Sequence, residues 1–270
     1  MCDFKVIIKE HKKELDIPKE VFTNYKMDKI LFYDIETTGF DKEKSNAILI
    51  SGGWFLDEGT FFVKQYFAES IDEEKDILLC FKEDVENFNS WCSYNGRAFD
   101  EPFLLKKMGM NNIDFISPKK HIDLYRIIRP CQTYLSLERC NLKSVEEYLG
   151  IERKDQIDGA VSVELYYEFL NTKDSSIRDV IMLHNFEDVF NLPKIFELVS
   201  DIENNDEVQR ANAITEKQLK YLKYLMDKNH IKIEINLKKV SKKAAGKIID
   251  NILKGNINLD EINNIVNNSY

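Results

Sequence analysis

The chain has 270 residues, a formal net charge of −9, and 43% hydrophobic and 31% charged residues, which is an ordinary globular composition. The sequence has no apolar run of about 18 residues and no secretory signal pattern at its start, which excludes a membrane-spanning helix and a classical export route. The five cysteines form no CxxC pair, which disfavours a disulfide framework or a zinc site and predicts a cytoplasmic protein.

The charge is unevenly distributed along the chain. Residues 215–254 contain 11 lysines against 4 acidic residues, so the remainder of the chain is strongly acidic. An acidic body is compatible with an active site that loads metal ions, because the ions invert the local field. The basic segment, with tyrosines between its lysines, favours either contact with a nucleic-acid backbone or a solvated helix face.

The spacing of apolar residues and the turn residues predict the elements in chain order. Strands are predicted at 4–8, 30–33, 47–55, 60–67 and 91–94. The strands at 47–55 and 60–67 are predicted to form a hairpin across the turn Asp57-Glu58-Gly59. Helices are predicted at 72–90, 99–108, 141–149, 161–170, 174–200, 215–228 and 241–253, with a weak helical period at 258–267. Residues 231–235 are predicted to be a short strand or loop. The polar stretch 201–214 is predicted to be a linker between a domain of residues 1–200 and a small basic helical domain of residues 215–270.

The first chemical motif is the apolar run that ends in Asp34 and Glu36 and breaks at Gly39. Because side chains alternate along a strand, the two carboxylates share one face and lie about 7 Å apart. Two acids on a buried strand are costly unless a cation neutralises them. The pair therefore predicts either a divalent-metal platform or a strand end with two solvated acids.

Two further motifs lie downstream. Asp100 begins a predicted helix after the Asn95-Gly96 turn, and its plain interpretation is an acid favoured by the helix dipole. His184 and Asp188 are four residues apart, so they share one face of a predicted helix. Their plain interpretation is an ordinary His–Asp pair.

Taken together and in order, D-x-E on a strand, N-G-x-x-F-D-x-P before a helix and H-x-x-x-D within a later helix resemble the DEDD superfamily of ribonuclease-H-like 3′–5′ exonucleases. The chain looks most like the YprB-like branch of that superfamily. The local matches are at 94–104, 121–130, 140–159 and 184–192, and the resemblance covers roughly residues 28–200. It implies an α/β ribonuclease-H-like fold, a mixed central sheet flanked by helices, to which residues 215–270 add a small helical appendix.

The resemblance also implies a site that holds two Mg²⁺ or Mn²⁺ ions. Asp34 bridges both ions in this interpretation, Glu36 and Asp188 complete the site of the ion that carries the attacking water, and Asp100 binds largely through water. His184 accepts the proton of that water. Exonucleases of this superfamily with a His base usually place four residues between the His and the Asp, whereas here three intervene, and Glu187 is the alternative ligand to Asp188.

The same resemblance suggests substrate contacts. Thr37, Thr38 and Gly39 are expected near the terminal nucleotide, and Asn95 and Phe99 near its sugar and base, with core packing as the alternative for Phe99. Asp123 and the two tryptophans are expected to be structural. The predicted activity is 3′–5′ exonuclease on nucleic-acid 3′ ends, with single-stranded DNA favoured over RNA. The alternative is an inactive nuclease-like binding or scaffold module in a DNA-processing or DNA-repair complex, whose protein partner the sequence does not identify.

Overall fold

The computed structural model describes residues 6–115, 117–231 and 236–270, apart from the side chains of Lys238 and Asn267. The first two residues of the strand predicted at 4–8, and all but the first residue of the segment 231–235, lie outside these ranges. Among the described residues, no helix combines the length and the apolar character that crossing a membrane requires.

The described chain forms one mixed six-stranded sheet. Its strands are β1 (Ile7–Glu14), β2 (Ile30–Thr37), β3 (Ala47–Phe55), β4 (Thr60–Phe67), β5 (Ser90–Ser93) and β6 (Lys120–Asp123), in the spatial order β1-β4-β3-β2-β5-β6. The pairs β1–β4, β4–β3 and β3–β2 are antiparallel, whereas the pairs β2–β5 and β5–β6 are parallel. The predicted β3–β4 hairpin and the mixed sheet are both confirmed.

The helices follow the sequence prediction with shifted ends, except that the first and the fourth were not predicted. They are α1 (Lys19–Tyr25), α2 (Glu74–Val85), α3 (Asp100–Met110), α4 (Leu124–Ile128), α5 (Leu142–Tyr148), α6 (Gly159–Thr172), α7 (Ser175–Asn191), α8 (Ile195–Asn204), α9 (Glu216–Lys228), α10 (Lys242–Leu253) and α11 (Leu259–Asn267). The single helix predicted at 174–200 was wrong, because Pro193 lacks the amide that would continue the ladder and a 3-10 turn separates α7 from α8. Helix α8 also continues four residues into the predicted linker.

The two faces of β2 meet different layers. Leu31, Tyr33 and Ile35 pack into one hydrophobic cluster with residues of α2 and α3. The alternate positions, Asp34 and Glu36, project to the other face, against which α7 packs. Strand alternation thus delivers both acids to the side of the sheet that α7 covers.

The absence of a side chain at Gly53 allows α7 to approach the sheet closely. A Cβ atom built on this β3 residue would lie 2.7 Å from the ring of Phe61 and 2.9 Å from Cγ1 of Val189 on α7. Any larger residue would force the helix or the ring to move. This close contact fixes α7, and with it His184 and Asp188, over the acidic side of β2.

The contacts divide the chain into two compact units. The first unit comprises Met1–Tyr125 and Asn141–Glu203, and the second comprises Arg126–Cys140 and Asn204–Tyr270. The second unit has its own core of residues from α9, α10 and α11, which includes Leu222, Ile248 and Ile262. Residues 126–140 join this unit through backbone contacts such as the hydrogen bond from the Ala211 amide to the Pro130 carbonyl, 2.7 Å. The domain division at residues 200 and 215 stays a prediction.

Candidate active site

Three elements bring the four predicted acids into one cluster. Asp34 and Glu36 project from β2, Asp100 is the first residue of α3, and Asp188 lies in the last turns of α7. The amide of Ile35, between the two β2 acids, donates a hydrogen bond of 3.3 Å to Oδ1 of Asp100. This bond ties the start of α3 to the strand at the centre of the cluster.

Helix α7 is tied to the same strand by a residue that the sequence analysis did not assign. Asn185 donates a hydrogen bond of 2.7 Å from its side-chain amide to Oδ2 of Asp34. The side-chain oxygen Oδ1 of Asn185 in turn accepts a hydrogen bond from the hydroxyl of Ser51 on β3. Asn185 therefore orients Asp34, and its place in the H-N-x-x-D stretch is the sequence signal that could have revealed it.

His184 and Asp188 lie side by side, as their i, i+4 spacing predicts. Nε2 of His184 is 3.6 Å from Oε1 of Glu36 and 3.6 Å from Oδ2 of Asp188. One ligand atom from each of the three residues lies within 4.8 Å of the other two. Three intervening residues therefore suffice to bring the imidazole beside the carboxylates, and the roles of these residues in metal binding and catalysis stay predictions.

Burial and mutual repulsion make the carboxyl groups of the cluster harder to ionise. Burial raises the pKa of Glu36 to about 8, and Asp188 adds to this rise although His184 opposes it. Burial likewise raises the pKa of Asp100 to about 7, against the amide hydrogen bond from Ile35. The pKa of Asp34 lies well above its usual value because of burial and the charges of Asp100, Asp188 and Glu36. Three acids that resist ionisation together form a site that a cation would stabilise.

The donor set fits a hard divalent cation. The group of close ligand atoms offers carboxylate oxygens of Glu36 and Asp188 and an imidazole nitrogen of His184, with no sulfur donor, and Asp34 and Asp100, outside this group, add two carboxylates near it. Oxygen donors of this kind suit Mg²⁺ and Mn²⁺, which retain some water ligands. The composition of the site thus agrees with the divalent-metal dependence that is general among ribonuclease-H-like nucleases.

A buried arginine lies beside the cluster, and the sequence analysis missed it. Arg153 forms ion pairs with four acids, and the three shortest are to Oδ1 of Asp188 at 2.7 Å, Oε2 of Glu146 at 2.9 Å and Oδ2 of Asp155 at 3.0 Å. It also donates to the carbonyl of His184, 3.2 Å. Arg153 therefore holds α7 against the loop between α5 and α6. The match at 140–159 contained this residue, but nothing local in the sequence identifies its partners.

Asp155 orients the imidazole. Its Oδ2 is 2.8 Å from Nδ1 of His184 and 2.8 Å from Nζ of Lys143. Burial opposes ionisation of Asp155, but these partners outweigh it and lower its pKa to about 2. Burial likewise opposes protonation of His184, yet Asp188, Glu36 and Asp155 together raise its pKa. An ionised Asp155 fixes the Nδ1–H tautomer and leaves Nε2 facing Glu36 and Asp188.

Glu187, the alternative ligand to Asp188, is occupied by the same loop. Its carboxylate accepts hydrogen bonds from the amides of Lys154, 3.1 Å, and Asp155, 2.9 Å. Two backbone donors and the nearby Arg153, 3.7 Å away, satisfy this carboxylate. Its contacts are those of a residue that anchors the loop.

The turn after β2 is held by its own side chains. The hydroxyl of Thr37 donates to the carbonyl of Gly39, 2.9 Å, and the hydroxyl of Thr38 accepts from the amide of Asn46, 2.8 Å. These bonds fix the backbone of the turn that follows Glu36. The Thr37 hydroxyl is thereby committed as a donor and the Thr38 amide donates to the Asn46 carbonyl, 2.9 Å, whereas the Thr38 hydroxyl keeps its own proton to donate.

Asn95 and Phe99 lie in the segment that immediately precedes α3. Asn95 is exposed and adopts a left-handed backbone conformation with φ 67°, and its amide donates to Oδ1 of Asp123, 2.8 Å. Asp123 also accepts from the amide of Arg97, 3.2 Å, which agrees with a structural role for this buried acid. Phe99 is half-buried and packs against Phe103 with ring centroids 5.4 Å apart.

Phe40 is an exposed aromatic residue that the sequence analysis left without a role. Its side chain is 87% exposed, and its ring meets that of Phe99 edge to face with centroids 5.6 Å apart. A phenylalanine this exposed is unusual in a folded protein. Its position four residues after Glu36 places a free ring surface on the turn next to the acidic cluster.

Comparison with known proteins agrees with this architecture. The family model described as RNase_H superfamily matches residues 31–200. The uncharacterized protein YprB of Bacillus subtilis (strain 168) is 27% identical over 175 residues, which cover 64% of this chain and 42% of that protein. The chain thus spans less than half the length of this curated relative. The predicted resemblance to ribonuclease-H-like proteins, including a YprB-like relative, is confirmed.

Solved structures were also compared with this chain. The family B DNA polymerase from the hyperthermophilic archaeon Pyrobaculum calidifontis matches with a TM-score of 0.52 and 18% identity over 63% of this chain and 24% of that one. NrnC from Brucella melitensis, bound to pGG, matches with a TM-score of 0.33 and 16% identity over 67% of this chain and 85% of that one. The polymerase match supports the fold alone. Because the family model covers more than half of the chain, this protein belongs to the RNase_H superfamily.

Proposed function

We propose that the protein is a metal-dependent 3′–5′ exonuclease that acts on nucleic-acid 3′ ends and prefers single-stranded DNA to RNA. The observation that carries this proposal is the cluster of the buried carboxyl groups of Asp34, Glu36 and Asp100, whose ionised forms a cation would stabilise, beside the His184–Asp188 pair. Membership of the RNase_H superfamily supports a nuclease reaction at this cluster.

The four acids have the donor chemistry of a metal site. Mg²⁺ or Mn²⁺ would be held by Asp34, Glu36, Asp100 and Asp188, and two such ions, when bound, supply charge stabilisation to the attacking and leaving oxygens of a phosphodiester. Asn185 keeps Asp34 oriented through its 2.7 Å hydrogen bond. The Ile35 amide does the same for Asp100.

His184 is the proposed general base. Its Nδ1 is occupied by Asp155, so Nε2 is the atom that accepts the proton of an attacking water. Once His184 is protonated, the ionised Asp155 stabilises the imidazolium. This pairing gives the base a fixed tautomer and a favourable charge partner without using any of the four proposed metal ligands.

The substrate end is proposed to lie over the turn after β2. Phe40 and Phe99 offer a ring surface for the terminal base, Thr37, Thr38 and Gly39 are proposed to contact the sugar, and Asn95 borders the site from the turn after β5. Aromatic stacking of this kind needs an unpaired base, which favours a single-stranded end. The preference for DNA over RNA, a role in DNA repair and a cytoplasmic location remain proposals.

The test uses labelled single- and double-stranded DNA and RNA oligonucleotides with a blocked 5′ or 3′ end, with Mn²⁺ or EDTA. We expect stepwise release of mononucleotides only from an open 3′ end and only with the metal. Asp34→Asn and Asp188→Asn are each expected to reduce the rate by roughly a thousandfold or more, because a lost metal ligand removes several kcal/mol of transition-state stabilisation.

The matched control is Asp57→Asn, which changes an exposed acid of the β3–β4 turn and is expected to leave the rate unchanged. Nucleotide release that persists in EDTA, or in both site variants, contradicts the proposed reaction. Release from an open 5′ end with the 3′ end blocked contradicts the proposed direction.

One observation favours the alternative of a nuclease-like binding or scaffold module. Arg153 already places a cation 2.7 Å from Oδ1 of Asp188, so one proposed metal ligand has a partner without any metal. Isothermal titration with Mn²⁺ separates the two candidates. Tight binding that is lost in Asp34→Asn supports the enzyme, whereas weak binding equal in both proteins supports the scaffold.

A further inference from the structure

The two units carry opposite charge. The second unit, residues 126–140 and 204–270, holds 15 lysines and arginines against 9 acids, which gives it a net charge of +6. Because the whole chain has a net charge of −9, the first unit has a net charge of −15. Positive charge on a small unit of an acidic protein is typical of a surface that binds polyanions.

A basic pocket lies within the second unit. The cavity has a volume of about 400 Å³, and the residues that line it include Arg126, Lys243 and Lys247 of α10, Asn264 of α11, and Asn268, which follows α11. No acidic side chain lines it, and the three cationic side chains form no ion pair with the described residues. Three cations with adjacent amide groups and no counter-charge form a site with the chemistry to bind a phosphate group.

A pair of exposed tyrosines lies on helix α9 of the same unit. Tyr221 and Tyr224 are 44% and 58% exposed, and their rings are nearly parallel, with an angle of 17° and centroids 6.5 Å apart. The opposite face of α9, with Leu222, Leu225 and Met226, is buried in the core of the unit. The two rings therefore face solvent because the helix packs through its other side.

Lysines surround the two rings. Helix α9 carries Lys217, Lys220, Lys223 and Lys228, all exposed, against two acids. None of the four lysines forms an ion pair with a residue in the described ranges. Parallel aromatic rings between lysines combine the two contacts that single strands need, stacking for the bases and positive charge for the phosphates.

We propose that the second unit binds single-stranded nucleic acid, with Tyr221 and Tyr224 stacking on unpaired bases and the pocket of Arg126, Lys243 and Lys247 holding a backbone phosphate. Duplexes are disfavoured because their bases are already stacked and present no free face to the tyrosines. The proposal rests on the second unit alone and does not require the first unit to hydrolyse its substrate.

The test measures fluorescence anisotropy of the full chain with 20-nucleotide DNA and RNA strands and with a DNA duplex, all in EDTA. The chelator prevents metal-dependent hydrolysis, so a failure of the proposed exonuclease reaction leaves this measurement intact. We expect the wild-type protein to bind at least one single strand about tenfold or more tightly than the duplex.

The tyrosine variants separate stacking from charge. Tyr221→Ala with Tyr224→Ala is expected to weaken single-strand binding about tenfold or more without changing its salt dependence, whereas Tyr221→Phe with Tyr224→Phe retains binding because the rings remain. The control is Tyr148→Ala with Tyr167→Ala, two tyrosines of the first unit with matching exposure of 49% and 47%. Equal loss in the control pair overturns the proposed role of α9.

The lysine variants test the pocket. Lys243→Gln with Lys247→Gln is expected to weaken binding at low salt and to reduce the slope of log affinity against log salt by about 0.7, the contribution of the one phosphate contact that the pocket makes with a single strand. Lys75→Gln with Lys119→Gln, two exposed lysines of the first unit, is the control. An unchanged slope, tighter binding of the duplex, or no measurable binding by the wild-type protein overturns the proposal.

Discussion

Two aspartates of the first unit expose similar fractions of their surface, yet their pKa values are shifted in opposite directions. Asp155 is 8% exposed and Asp100 is 6% exposed. The pKa of Asp155 is lowered to about 2, whereas the pKa of Asp100 is raised to about 7. The difference is in their partners, because Asp155 faces Lys143, Arg153 and His184, while Asp100 has only backbone amides to offset its burial.

This comparison separates the acids around the site into two regions. Around Arg153 the protein supplies its own cations, and those acids hold the structure together. Around Asp34, Glu36 and Asp100 the described residues supply only the nearby imidazole, so protons or a cation from solvent neutralise these carboxylates. Asp188 lies at the boundary, since it contacts both Arg153 and His184. The arrangement distinguishes acids that stabilise the fold from acids that are available to a ligand.

The largest effect on stability is expected from Arg153→Met. Removal of this guanidinium leaves Glu146, Asp155 and Asp188 without their shared cation, and breaking a buried ion pair in this way costs about 3–5 kcal/mol in the free energy of unfolding. Urea denaturation measures the loss. The control is Arg178→Met on α7, whose pairing with exposed Asp179 is expected to contribute less than about 1 kcal/mol. Equal losses in the two variants would remove the distinction between the regions.

A pH-dependent effect is expected from the other region. The folded-state pKa values of Glu36 and Asp100 lie above their usual 4.5 and 3.8, so without metal the folded protein binds more protons than the unfolded chain across roughly pH 4 to 8. Stability is therefore highest at the acidic end of this window and is lost as the pH rises through the folded-state values. His184, whose pKa is also raised, adds to the same trend.

Thermal unfolding in EDTA at pH 6 and pH 8 measures this effect. We expect a lower Tm at pH 8, a recovery on addition of Mn²⁺ that is larger at pH 8 than at pH 6, and a weaker pH dependence in Glu36→Gln. A metal-free Tm that rises from pH 6 to pH 8 would contradict the assignment of uncompensated charge to this cluster.

The smallest of these effects is expected from Asp155→Asn. Loss of the carboxylate removes the partner that favours the His184 imidazolium, so the acidic limb of the rate profile in Mn²⁺ should move to lower pH and the rate should fall about tenfold. Asp158→Asn, which changes only the N-cap of α6, is the control and should leave the profile unchanged. A profile that does not move in Asp155→Asn would show that His184 is not the base.

The sequence predicted the parts of the site that obey a local period. Asp34 and Glu36 share a face because a strand repeats every two residues, and His184 and Asp188 share a face because a helix brings i and i+4 together. Glu36 and His184 come within 3.6 Å although 148 positions separate them, and the resemblance to a known family supplied that pairing.

The features that the sequence did not predict depend on residues distant in the chain, or lie in segments without a periodic pattern of apolar residues. Arg153 gains its role from acids on other elements, and no spacing in its own segment indicates them. Strand β1 was predicted too short because its residues are mostly charged, as is common for an edge strand that must avoid pairing with another chain. Phe40 looked like an ordinary apolar residue until its exposure was known.

Ile35 lies between the two β2 acids and gives the cluster an evolutionary constraint. Its side chain is buried in the layer formed with α2 and α3, while its amide holds Asp100. A single inserted or deleted residue before Ile35 would turn both carboxylates into the hydrophobic layer and the isoleucine toward the cluster. The spacing of this motif can therefore change only in steps of two, so length variation among descendants of this chain should accumulate in the turns on either side of β2 and leave the strand itself untouched.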